Sequence, residues 1–126
     1  MKKGFSIKYL VLLLTAFGLY WFFNQRIHRE QEISFDRSLT PLIYTKHARC
    51  RMDCRHIDEM EVKDILQNGK INYQKSDPDS KPDPKFALEG ITRDHQSVRI
   101  IFAPSKRGMV VITCIDLDDE WTCHCN

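Results

Sequence analysis

A chain of 126 residues carries 19 Lys and Arg against 17 Asp and Glu, and five Cys. That length holds one domain, and a net charge of +2 sets up no global field drawing the chain to nucleic acid or to an acidic partner. Once an apolar N-terminus is set aside, the remaining domain is small, its core leaves a thin stability margin, and cross-links would help.

Residues Tyr9 to Phe23 read YLVLLLTAFGLYWFF, without charge or proline. A span usually needs ~20 residues, and Ile7 with a snorkelling Lys8 extends the run. Tyr20, Trp21, Phe22 and Phe23 gather at its far end, where amphipathic rings suit a headgroup zone. Lys2, Lys3 and Lys8 precede it and Arg26 and Arg29 follow, which tilts the orientation slightly toward a cytoplasmic N-terminus and an extracytoplasmic domain. A cleaved signal peptide competes with this reading, but bulky aromatics end the run where a small-x-small site would be needed. A buried helix of a soluble domain fits poorly, because every face is apolar. The expectation is a single-pass membrane protein: anchor over 1–24, linker or helical extension over 25–41, and a folded domain over 42–126.

Pro41 marks the start of that domain. Tyr44 to Cys54 contains helix formers and no breaker, so a first helix is expected there. A second begins at Asp58, which can cap it, with Glu61 completing a capping-box pair. Val62, Ile65 and Leu66 share one face, and Asn68-Gly69 ends the helix. The periodicity then changes to strands: Ile71–Gln74, Lys85–Thr92, Ser97–Ala103, Met109–Leu117 and a short terminal Trp121–Cys125. Between the first two, Ser76 to Pro84 holds three prolines and reads as a loop; its Asp77, Asp79 and Asp83 lack the glycine and glutamate of a calcium loop. Two helices followed by strands predict an α+β domain, the helices packed on a mainly antiparallel sheet of four to five strands.

The segment Tyr44-Thr45-Lys46-His47-Ala48-Arg49-x-Arg51-Met52, followed by Arg55-x-Ile57, Val62 and Ile65-Leu66-x-x-Gly69, resembles the bacterial domain of unknown function 4258 family. The resemblance implies a fold like that of small RelE/ParE-type toxins, whereas an anchor, a cysteine pair in the first helix and a Cys-His-Cys tail depart from the common pattern. Because the family's activity is uncharacterised, the resemblance implies fold more than function.

Two clusters bear chemistry. At about 100° per residue, His47, Cys50 and Cys54 fall within about 60° of one another, while Ala48 and Met52 point elsewhere, toward the sheet. In a terminal strand Cys123 and Cys125 share one face and His124 the other. Bridges from Cys50 and Cys54 across to Cys123 and Cys125 fit disulfide geometry better than bonds within either pair. The alternative is a closed zinc site drawn from His47, Cys50, Cys54, Cys123 and Cys125, with no other cofactor expected. In the plainest reading the cysteines are reduced and packed as small hydrophobes, as expected for Cys114.

The second cluster is a basic run, Lys46, His47, Arg49, Arg51, Arg55 and His56, opposed locally only by Asp53. A RelE/ParE-like ribonuclease would draw on His47, Arg49, Arg51 and His95, with Arg99, Lys106 and Arg107 adding charge. The bland reading is a solvated helix face. No aromatic residues interleave with the cations as single-strand binding requires, so nucleic acid is not the expected partner. The membrane, through Tyr9 to Phe23, is the expected partner, and the domain is read as a non-enzymatic binding or envelope-associated module whose C-terminus is stapled by cysteines.

Overall fold

A computed structural model describes the backbone of residues 6–33 and 35–126 and the side chains of 6–26 and 35–126. The chain divides into two compact units, with the boundary between Phe35 and Asp36.

The first unit is one helix, α1, spanning Ile7–Ile33. Its Ile7–Arg26 stretch, 20 residues with a mean hydropathy of 1.4, is long and apolar enough to cross a membrane. A signal sequence near an N-terminus meets the same criterion of length and hydropathy. Of the flanking cations used to judge orientation, Lys2 and Lys3 and the side chain of Arg29 lie outside the described residues.

The second unit is α+β, with two helices and a five-stranded sheet. Its elements are β1 (Leu42–Tyr44), α2 (Lys46–Arg55), α3 (Glu59–Asn68), β2 (Lys70–Ile71), β3 (Phe86–Ile91), β4 (Ser97–Ser105) and β5 (Gly108–Asp116). The sheet order is β1-β5-β4-β3-β2. Neighbours run antiparallel except β1, which lies parallel to β5 and pairs Leu42 with Met109 and Tyr44 with Val111. The sheet is therefore mixed.

Local chemistry sets the helix ends. Thr45 Oγ1 accepts from the Ala48 amide at 2.9 Å and donates to the Ile112 carbonyl at 3.1 Å, so one hydroxyl caps α2 and ties it to β5. The capping box of α3 is complete: Asp58 accepts from the Glu61 amide at 2.8 Å and Glu61 from the Asp58 amide at 3.1 Å. Between the helices His56 takes a left-handed conformation, φ 55°. In the β4–β5 turn Gly108 sits at φ +142°, and any Cβ there would drive into the Pro41 carbonyl oxygen. That same carbonyl accepts from the Met109 amide at 3.0 Å, which starts the β1–β5 pairing.

The alternating strand residues build the core. Val98, Ile100 and Phe102 of β4 are fully buried with Leu88, Met109, Val111 and Cys114; Ala48 and Met52 of α2 and Val62, Ile65 and Leu66 of α3 close over them. α2 packs on β5 and α3 on β3. Gly90 permits the close approach of α3, since a Cβ there would sit 2.6 Å from Ile65 Cδ1.

Three expected elements differ. Tyr44 belongs to β1, so α2 starts two residues later than the helix read from the sequence. Ile71–Gln74 is a strand only at Lys70–Ile71, then a short 3-10 turn over Tyr73–Lys75. Trp121–Cys125 is not a strand: nothing pairs with it along the sheet, and its backbone runs beside α2 instead. The fifth strand is β1, whose Leu42 and Ile43 the sequence reading put at the start of the domain without an element and whose Tyr44 it put in the first helix.

Candidate functional site

The chemistry gathers where the C-terminal tail meets α2. Cys50 and Cys54, one helical turn apart, present sulfurs on the same side of α2. Cys50 is bonded to Cys125, S–S 2.01 Å, and Cys54 to Cys123, S–S 1.97 Å. The tail therefore runs antiparallel to the helix. Burial alternates along it, Trp121, Cys123 and Cys125 half-buried and Thr122, His124 and Asn126 exposed, so the period of two survives without a sheet partner. In this oxidised form no thiolate remains on these four sulfurs to hold zinc, and zinc coordination would require both bonds reduced. Among the described residues no group of three or more His, Cys, Asp or Glu is placed to hold a metal ion.

The tail is also held at its root, by Asp116 at the end of β5. Its Oδ1 accepts from the amides of Asp118 (2.9 Å) and Asp119 (3.1 Å), and its Oδ2 from Trp121 Nε1 (2.8 Å) and Gln96 Nε2 (3.2 Å). Burial pushes this carboxyl up, but the four hydrogen bonds together outweigh it and hold the group below the usual carboxylate range. Gln96 Nε2 also donates to the Arg55 carbonyl at 3.0 Å, and the Trp121 ring meets the His56 ring edge-on, centroids 5.5 Å apart. Gln96, Asp116 and Trp121 were invisible in the sequence as partners, because a turn residue, a strand end and a tail residue share no period.

Beneath the tail, Cys114 is the free cysteine. Burial drives its thiol up to about 12, against a smaller opposing pull from Arg55. The Arg55 guanidinium donates to the Cys114 carbonyl through Nη1. Burial, and then the neighbouring charge of Arg51, lower the pKa of Arg55 from its ordinary value.

The four nuclease candidates are not brought together. Arg49 is drawn to the other flank of α2, paired with Glu59 at 3.1 Å and placed over the Tyr44 ring at 4.8 Å. Arg51 Nε reaches His47 Nε2 at 3.4 Å. His95 lies exposed in the β3–β4 turn at φ 63°. That turn meets the C-terminal end of α2 through Gln96, whereas His47 lies eight residues back, ~12 Å along the axis. Arg99 is paired with Glu89 at 2.6 Å on β3. A groove of about 640 Å³ runs between α2 and α3, lined by Arg49, Met52, Asp53, His56, Ile57 and Asp58 among others. Its walls carry charges of both signs. Asp77, Asp79 and Asp83 remain in the loop between β2 and β3, where Asp77 bridges to Lys85 through the backbone.

The sequence profile of the domain of unknown function family DUF4258 matches residues 44–116, from β1 to the last residue of β5. The chain belongs to that family. The DUF4258 match takes in Cys50 and Cys54, while α1 and the tail with Cys123 and Cys125 lie outside the matched residues. No curated protein and no solved structure matches the chain.

Proposed function

We propose that this chain is a membrane-tethered binding module of the DUF4258 family, non-enzymatic, with its α+β domain on the oxidising side of the membrane. The observation that carries the reading is the pairing of both tail cysteines with both α2 cysteines. Disulfides persist outside the reducing cytosol, and small domains there use them where a core is thin. The apolar stretch Ile7–Arg26 supplies the tether, and the cations before and after it favour an inside N-terminus only slightly. A tethered RelE/ParE-like nuclease is the weaker reading, since Arg49 is engaged by Glu59 and His47 and His95 lie toward opposite ends of α2.

Counting thiols under denaturing, non-reducing conditions, on chain taken directly from membranes, tests the proposal. One reactive thiol, that of Cys114, is expected; five would sink the reading and reopen the zinc and nuclease alternatives. A C-terminal topology reporter active only outside the cytoplasm checks the side of the membrane independently.

A further inference from the structure

Three residues spaced four apart, His47, Arg51 and Arg55, form one flank of α2, about 40° from one to the next. Arg51 and Arg55 are both half-buried, and neither forms an ion pair among the described residues. Three nearby acids are paired with other arginines. Glu59 is taken by Arg49, Asp58 by Arg93 and Glu89 by Arg99. Asp116, the carboxylate whose charge reaches Arg55, already accepts four hydrogen bonds. Asp53 projects about 160° around the helix from both arginines.

The two cations are also held in place. The Cys114 carbonyl holds Arg55 through Nη1, and His47 Nε2 receives Arg51 Nε, leaving the terminal amino groups of Arg51 without a protein acceptor among the described residues. The tail is bonded alongside, with the Cys50 and Cys54 sulfurs near the carbonyls of His124 and Thr122. The two guanidinium groups are close enough to repel each other, and partial burial raises the cost of leaving their charge unpaired. Asp116 supplies some negative charge to Arg55, whereas Arg51 has no ion-pair partner among the described residues.

We propose that the His47–Arg51–Arg55 flank of α2 binds a phosphate-type anion. The two terminal amino groups of Arg51 form a planar fork that matches the oxygens of a phosphoryl group, and Arg55, whose Nε is buried and whose Nη1 is held by Cys114, adds positive charge beside it. The same chemistry is offered by a free phosphate or phosphomonoester and by a phospholipid headgroup. This deepens the proposed function and rests on it, because the intact disulfides fix the tail beside the flank.

The test uses the full chain in nanodiscs of zwitterionic phosphatidylcholine, titrated calorimetrically with inorganic phosphate at constant ionic strength. Saturable binding is expected, weakened at least about tenfold by Arg51→Gln and unchanged by Arg49→Gln on the opposite flank. Repeating the titration in discs containing phosphatidylglycerol separates the sources: weakened phosphate binding there assigns the site to lipid headgroups, and unchanged binding to a free anion. No saturable binding in neutral discs, or equal loss in both variants, overturns the site. A thiol count on the same sample keeps the two ideas apart. One thiol without phosphate binding refutes the site alone, whereas five thiols refute the oxidised, exported domain.

Discussion

Removing the two disulfides one at a time, then together, should give costs that do not add. Cys54–Cys123 closes a loop with a sequence separation of 69, and Cys50–Cys125 one of 75. Taken alone, either bond restricts the unfolded chain by about 4.4 kcal/mol on the loop-entropy relation. The loops are nested, however, and once one bond is in place the other closes only the short circuit through one helical turn and the Cys123–Cys125 tripeptide. That circuit holds about eight residues, for which the same relation gives about 2.5 kcal/mol. Replacing Cys50 and Cys125 together by Ser should therefore cost about 2.5 kcal/mol, and so should replacing Cys54 and Cys123; removing all four should cost about 7 kcal/mol. Guanidinium unfolding of the full chain in mild detergent, followed by circular dichroism, would measure all three. If either pair alone costs as much as both, or if the costs are simply equal and additive, the nested-loop account is wrong.

Other expectations follow from single contacts. Asp116 is held below its unfolded value near 3.9, so its stabilisation is present above that pH and is lost as pH falls through the lower folded value. Asp116→Asn should flatten the acid limb of a stability-against-pH curve and loosen Trp121, visible as a change in the domain's fluorescence. Cys114, with its thiol near 12, should resist alkylation at pH 8 in the folded protein and react at once in denaturant. Gly108→Ala forces a side chain into a positive φ and against the Pro41 carbonyl, and should cost about 1–3 kcal/mol in thermal or chemical unfolding. Thr45→Ala removes both the α2 cap and the bond to Ile112, and about 1–2 kcal/mol is expected from the same measurement.

Much of this architecture was legible because local signals agreed with the tertiary result. Asp58 and Glu61 spell a capping box that forms, and the alternation of Val98, Ile100 and Phe102 marks the buried face of β4. Short and non-local features were not legible. β1 has three residues, directly follows a proline and owes its existence to a partner more than sixty residues away, so no periodicity announces it. The tail alternates like a strand, but covalent links to a helix impose that alternation, which is why Trp121–Cys125 reads as sheet and is not. At the site, helical spacing placed His47, Cys50 and Cys54 on one side of α2 and sets Arg49 about 160° from Arg51, while the engagement of Arg49 by Glu59 and Tyr44 depends on positions that only the fold supplies.

The Cys54–Cys123 bond turns most of the domain into a covalent ring that contains α3, β2 to β5 and the proline-rich segment. A protease nicking the exposed backbone around Pro78 or Pro82 would break the chain without parting the pieces. Such a molecule would keep its mass and its attachment to α1 until a reductant arrived, so damage at that point becomes a separation into fragments only when the two sulfur bridges are opened.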